Sequence, residues 1–353
     1  MKPSTKAFFR LHGWRNPIGF LHGYIYGRWI NAYLKVITGR AFRRRGQRRK
    51  APSWAVQIKP QTGMGRWFEE RYHSKILTHE DAGKIVKLNK PLRVDNPERV
   101  IPYEIANRIV LDTPGSLAVM RCPCREIKDG DACGPLEVCM VVGKPFVDFV
   151  VEHGTNGARH ISREEGVQIL ETARDKGWVH TAWFKDAMAG RFYAICNCCS
   201  CCWIPTRAMK RTGLEAKYLA PSGYVAVMDT EVCAGCGGCE KICAFGAMSD
   251  DTGVVVIDPE KCFGCGVCAN LCPHGAATMV LAPDKGIPFD VEALGEGKIS
   301  NLKSQISKKA ASRSFITLKC DSLETQGTQL KLKQVWFKPQ RFAFLCVPPR
   351  PLR

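Results

Sequence analysis

Two runs of cysteine share one spacing. Cys233, Cys236, Cys239 and Cys243 read C-x2-C-x2-C-x3-C, and Cys262, Cys265, Cys268 and Cys272 repeat it. Three thiolates so close in sequence can wrap one loop around a face of a metal cluster. Gly235, Gly237, Gly238, Gly264 and Gly266 let such loops turn tightly and bring backbone N–H groups toward sulfur. The fourth thiolate must come from elsewhere. The run is a [4Fe–4S] signature, and in chains that carry it twice the fourth cysteine serves the other cluster. The expected ligand sets are therefore Cys233, Cys236 and Cys239 with Cys272, and Cys262, Cys265 and Cys268 with Cys243. Zinc ribbons and disulfide frameworks use cysteine pairs, but rarely four cysteines in this pattern and almost never twice in tandem.

The elements that position these thiols are themselves repeated. VAVMDTEVC (225–233) aligns with VVVIDPEKC (254–262), so a strand, a cluster loop and a short helix occur twice. On these motifs, residues 223–282 resemble the two-cluster bacterial ferredoxins. The resemblance implies a pseudo-repeated α+β module that passes single electrons. Ala244 stands where that pattern usually has proline, a change that removes no ligand.

Nine further cysteines lie upstream in two patches. RCPCRE supplies Cys122 and Cys124, and DACGPLEVC supplies Cys133 and Cys139. AICNCCSCC supplies Cys196, Cys198, Cys199, Cys201 and Cys202. Grouped thiols favour metal binding in a reducing compartment over disulfides. A further [4Fe–4S] cluster, a zinc site, and a thiol, disulfide or structural role all stay open, because the spacing is irregular. Nine thiols exceed the four that one cube needs, which leaves room for two clusters or a cluster with reactive thiols. The expectation is that the two patches meet in space and hold at least one further cluster. His180, between the patches, has three readings: an N–H···S partner, an iron ligand, or a histidine satisfied at a helix end. Arg121 and Arg125 flank the CPC unit and either offset cluster charge or are solvated.

The longer pattern of RCPCRE, CGPLEVCMVVG, ISREEGVQIL, GWVH and AICNCCSCC ahead of two ferredoxin repeats resembles a family of 4Fe–4S dicluster proteins. These occur in bacteria and archaea, mainly in anaerobes, and carry an extra N-terminal Cys-rich domain. The resemblance covers about residues 15–285 and implies electron transfer in anaerobic metabolism without naming a substrate. Where the family tends to have one more cysteine, this chain has Trp203.

The remaining segments divide by charge and pattern. The net charge is +19, and residues 1–68 hold 15 Lys and Arg with no acidic residue. Residues 1–50 read as a basic amphipathic segment. Within 17–38, Ile18, Leu21, Ile25, Trp29 and Val36 recur on one helical face, and Arg28, Asn31 and Lys35 lie on another. Such a helix suits a membrane surface, or docks on this protein's own body or a partner subunit. Gly23 and Gly27 weaken it as a free helix.

Residues 60–205 read as a mixed α/β Cys-rich domain. Within it, helices are expected over LTHEDAGKIVKL and PYEIANRIVLD, a strand at 116–120, and a helix after the Ser162–Glu165 capping box. A linker at 206–222, with a short helix at 206–218, leads to the ferredoxin module at 223–285. Residues 298–353 read as a basic tail, disordered or partner-bound, in which Cys320 and Cys346 stand alone. The overall class is α+β. No apolar run reaches membrane-spanning length and no signal peptide is evident, so the expected location is cytoplasmic, with peripheral membrane association open.

The reading is an iron–sulfur electron-transfer protein with redox partner proteins. The rival is a reductase whose N-terminal thiol or Fe–S site acts on a small or disulfide substrate and is fed by the ferredoxin clusters. A radical S-adenosylmethionine site is set aside because Pro205 occupies the third position of C-x3-C-x2-C after Cys198 and Cys202. No GxGxxG or Walker motif supports nucleotide binding, and no recognisable domain supports nucleic acid as a partner.

Overall fold

A computed structural model of the chain describes residues 1–14, 16–38, 72–95, 100, 108–128, 133–212, 218–250 and 255–295. All lie in one unit, Met1–Lys308. The basic cluster 43–50, and the tail 298–353 with Cys320 and Cys346, lie outside the described residues. In chain order the strands are β1 (Tyr72–Leu77), β2 (Leu92–Asp95), β3 (Arg108–Leu111), β4 (Leu117–Arg121), β5 (Glu137–Val142), β6 (Arg159–Ile161) and β7 (Val179–Lys185). They continue with β8 (Arg191–Cys198), β9 (Leu219–Ala220), β10 (Tyr224–Met228), β11 (Met248–Asp250), β12 (Val255–Ile257) and β13 (Ala277–Leu281). Helices and strands in mixed sheets make the fold α+β.

The Cys-rich part is built on one sheet in the order β6-β4-β5-β8-β7-β1-β9. Its neighbours are antiparallel except β1 and β9. Alternation along the strands divides two cores. Leu117, Val119, Met140, Val142 and Ile195 pack on one face with Leu170 of the helix Arg163–Asp175 and Ile85 of the helix His79–Lys87. Ala118, Met120, Cys139, Val141 and Ala194 pack on the other with Phe8, Tyr26, Phe146 and Phe149. Covered faces explain why β5 reads apolar at Val138–Val142 without alternation.

Local signals set the helix starts. The Thr78 hydroxyl accepts from the Asp81 N–H at 3.1 Å, and the Ser162 hydroxyl from the Glu165 N–H at 3.2 Å. Each such cap contributes about 1 kcal/mol. Ala173 and Leu170 are buried beneath the second of these helices, and Gly177 at φ +65° turns the chain out of it.

The structure corrects three sequence expectations. The helix expected over 102–112 is overturned at its C-terminal end. Arg108–Leu111 is strand β3, paired with β2, because Ile109 and Leu111 alternate into the first core and β-branched residues suit that surface. Residues 101–107 lie outside the described residues. The continuous helix over 17–38 is two, Pro17–Arg28 and Ile30–Ile37, broken at Trp29.

The third correction concerns the face these helices bury. They dock on the protein's own body through the glycine side. A Cβ on Gly23 would overlap the Phe8 ring and the Ala187 carbonyl, and one on Gly27 would meet Phe149 at 2.9 Å. The glycines therefore serve close packing. The apolar stripe of Ile18, Leu21, Ile25, Trp29 and Val36 faces outward instead, joined by Trp14 at 87% exposure. Among the described residues no helix is long and apolar enough to cross a membrane.

The second part is the internal repeat. β10 pairs with β13, and β11 with β12. Asp229 accepts from the N–H groups of Glu231 and Val232, and Asp258 in the same way from those of Glu260 and Lys261. Beyond β13 the chain returns to the first sheet. Ile287, Phe289, Val291 and Leu294 enter the first core, and Lys84 meets Asp290 at 2.8 Å.

Candidate metal centres

Each cluster loop is shaped before any thiol is considered. The Cys233 N–H donates to the Asp229 carbonyl at 3.0 Å, and the Cys262 N–H to the Asp258 carbonyl at 3.1 Å. Gly237 at φ +65° and Gly266 at φ +75° start the short helices Gly238–Ile242 and Val267–Leu271. These helices end at Cys243 and Cys272. Glycine is required most at Gly264, where a Cβ would overlap the Tyr224 carbonyl and Ser222 Oγ. Buried Ser222 pins that approach, since its hydroxyl donates to the Gly264 carbonyl at 2.6 Å and accepts from the Tyr224 N–H at 3.1 Å.

Cys243, Cys262, Cys265 and Cys268 line one small cavity, together with Phe245 and Phe263. Cys243 thus sits with the three cysteines of the other run. N–H groups point at sulfur: Ala226 to Cys262 Sγ at 3.5 Å and Ala247 to Cys243 Sγ at 3.4 Å. At Cys272 burial opposes the thiolate, but the amides of Ala277, His274, Ala276 and Gly275 outweigh it and hold the thiol below its ordinary value. Burial pushes Cys268 up to about 12. The two sites differ in exposure. Cys236 is exposed and Cys233 and Cys239 half-buried, whereas Cys262 and Cys268 are buried. Thiolates wrapped by amides around a cavity are the donor set that a [4Fe–4S] cluster takes.

The sheet register brings the upstream patches together. Cys139 of β5 lies directly opposite Cys196 of β8, on the second-core face. A register shift between Met120 and Arg121 re-aims the chain just before Cys122. Five thiols form a connected arc in the order Cys124, Cys122, Cys139, Cys196, Cys198. Hydrogen bonds from Cys124 and Cys139 hold Cys122 well below the ordinary thiol value. Those same bonds, then burial, push Cys124 and Cys139 well above it. Burial pushes Cys198 to about 12. Five thiols this close, with Cys122, Cys139 and Cys198 buried, cannot all ionise unless a metal shares the charge.

The other four form a tighter group. Cys133 Sγ lies 2.9 Å from Cys199 Sγ and 3.3 Å from Cys202 Sγ, and Cys201 Sγ lies 3.6 Å from Cys202 Sγ. All four sulfurs fall within 4.8 Å of one another, and all are free thiols. Arg125 stands between the groups, 2% exposed, with its guanidinium 3.8 Å over the Trp178 ring. It donates to the carbonyls of Asn197, at 3.3 Å, and Pro135. Burial works against its charge, and the thiols of Cys122, Cys199 and Cys133 outweigh that. Arg121 instead pairs with Glu126 at 2.6 Å near the surface.

His180 lies in strand β7, not at a helix end. Its Nδ1 meets Asn197 Oδ1 at 2.6 Å and its Nε2 meets His79 Nδ1 at 3.3 Å. Both ring nitrogens are thus engaged away from sulfur. Burial lowers its pKa to about 4, so it is neutral and holds Asn197, the residue between Cys196 and Cys198.

The sequence reading missed three aromatic residues. Trp203 is 2% exposed and meets Phe245 edge-on at 6.3 Å, and Phe245 stacks on Phe263 at 4.5 Å. Each follows a cysteine within two residues, which was a signal, but their contact is tertiary. They share one apolar cluster with Cys124, Cys196, Cys198 and Cys265.

Comparison with known proteins gives one family match. A model described as 4Fe-4S binding domain matches residues 255–278, which include Cys262, Cys265, Cys268 and Cys272. No curated protein and no solved structure matches the chain. The chain therefore carries a ferredoxin-like [4Fe–4S] binding domain, and the match together with the upstream thiol group points to an iron–sulfur protein.

Proposed function

We propose that this is an electron-transfer protein with two [4Fe–4S] clusters in residues 223–285 and a further cluster on the upstream thiols. The outer site takes Cys233, Cys236, Cys239 and Cys272, and the inner site Cys262, Cys265, Cys268 and Cys243. A bound cluster supplies a one-electron couple. The chain's residues set its potential through the amides aimed at Cys243, Cys262 and Cys272 and through the burial of Cys262 and Cys268. The exposed loop around Cys236 faces a soluble redox partner protein.

The observation that carries this reading is the apolar cluster joining Cys265 to Cys124, Cys196 and Cys198 through Trp203, Phe245 and Phe263. It places Cys265 of the inner site and Cys124, Cys196 and Cys198 of the upstream arc in one apolar cluster. The test is an anaerobic redox titration of the full chain followed by electron paramagnetic resonance. Magnetically interacting reduced cubes are expected, and a protein without a reducible signal would reject the proposal.

The exposed stripe of Trp14, Ile18, Leu21, Ile25 and Trp29 is proposed to dock on an anionic membrane surface. The support is its apolar character beside 15 basic and no acidic residues in 1–68. Flotation with phosphatidylglycerol vesicles checks it. Ile18→Ser with Leu21→Ser should abolish binding, and equal binding by that variant would reject the docking.

The reductase reading draws on the exposure of Cys133 and Cys201. It requires an open coordination position or a free thiol there.

A further inference from the structure

We infer that the nine upstream thiols form two separate centres, and that Cys133, Cys199, Cys201 and Cys202 hold a single tetrahedral metal ion, zinc or ferrous iron, rather than a cube. Sulfurs bound to one ion at about 2.3 Å lie about 3.8 Å apart at the corners of a tetrahedron. These four sulfurs fall within 4.8 Å of one another, with contacts of 2.9, 3.3 and 3.6 Å. A four-iron cube places its thiolates on outward corners, wider apart than one ion does.

The chain contains its own control. Among the described residues these four cysteines make the one group of this closeness, although the eight ferredoxin cysteines lie in the same structure. Cys243, Cys262, Cys265 and Cys268 instead line a cavity. The close spacing of one ion is thus met at Cys133, Cys199, Cys201 and Cys202 and not in the ferredoxin runs. The arc of Cys122, Cys124, Cys139, Cys196 and Cys198 is continuous but shows no such closeness, and it is where the further cluster belongs.

The chain gives the close group the means to hold an ion. Cys199, Cys201 and Cys202 sit in the turn between β8 and the helix Ile204–Thr212, and Cys133 comes from the segment before β5. Binding joins two segments that no backbone ladder connects at this point. Four thiols bind a divalent ion with release of four protons to water, leaving a complex of charge −2. The buried Arg125 guanidinium beside Cys133 and Cys199 offsets part of that charge. Four protein ligands close the coordination shell, so the ion is structural and gives no open position for a substrate. This weighs against the reductase reading at Cys133 and Cys201.

The test uses the full chain, purified anaerobically and by metal content. Cys201→Ser alters an exposed ligand and should lower the total metal by about one ion per chain, with acid-labile sulfide unchanged. A loss of about four irons with about four sulfides would overturn the inference in favour of a cube, and no loss of metal would overturn it outright. A second measurement needs no variant. Cobalt(II) added to the chain after mild chelation should enter at about one per chain with the thiolate charge-transfer and tetrahedral d–d bands of a four-sulfur site. Their absence would equally reject the site. Neither readout depends on the ferredoxin clusters, whose sulfide content reports separately on the electron-transfer proposal.

Discussion

The ferredoxin module and the Cys-rich sheet both gather thiols, but they do so by different means. In the module, the thiols come from short loops, so their spacing is written in consecutive residues and repeated. In the sheet, Cys139 meets Cys196 through strand register, and Cys133 meets Cys199 through a turn. Loop-borne sites can be recognised from a local pattern. Register-borne sites depend on which strands pair, and a single residue of slip in β5 would turn Cys139 to the face opposite Cys196.

The difference can be broken first at the crossover. Cys243→Ala should remove about four irons from the site of Cys262, Cys265 and Cys268 and leave the Cys233 site intact, read by iron content and Mössbauer spectra. Loss of the Cys233 site alone would show that each run keeps its own fourth ligand.

The next largest effect falls where the regions meet. Trp203→Ala should cost about 3–5 kcal/mol in denaturant unfolding, because a buried indole leaves a cavity between Ile76, Val179 and Phe245. The same variant should slow reduction of the upstream centre by electrons from the module. A cost below about 1 kcal/mol would separate the two regions.

A finer contrast lies between glycines of the repeat. Gly264→Ala should destabilise by more than about 2 kcal/mol, since the added methyl overlaps the Tyr224 carbonyl at a positive φ. Gly237→Ala has the same backbone but nothing within 4 Å, and should cost about 1 kcal/mol. Equal costs would mean that the second loop is not pinned against the body.

The smallest effect is a slope with pH. Lys75, buried in β1, donates to the Pro221 carbonyl at 2.7 Å, and burial lowers its pKa to about 7 despite Asp81. Between about 7 and the ordinary lysine value the unfolded chain binds the proton and the folded chain does not, so stability rises with pH there. His180 acts in the same direction between its lowered value of about 4 and the ordinary histidine range. Lys75→Met should flatten the alkaline part of the slope in urea melts, and an unchanged slope would show that Lys75 stays charged when folded.

Much of the fold was legible where physics is local. Thr78 and Ser162 cap helices as their spacing indicated, and the α+β class follows from the mixed elements. Pattern failed where tertiary packing decided. Ile18, Leu21 and Ile25 look like a buried stripe, yet Gly23 and Gly27 face the body because Phe8 and Phe149 need close approach. Arg108–Leu111 is a strand because Ile109 and Leu111 find the core in alternation. At the metal centres the module's thiols were visible as a set. The division of the upstream nine into an arc and a tight four was not, since it arises from the bulge before Cys122 and the pairing of β5 with β8.

The central claim is tested most directly by iron and acid-labile sulfide counted on the anaerobically purified full chain, with electron paramagnetic resonance of the same reduced sample. The account predicts about twelve sulfides per chain, at least as many irons, and signals from interacting reduced cubes. Zinc in the ferredoxin loops, with no labile sulfide and no reducible signal, would contradict it.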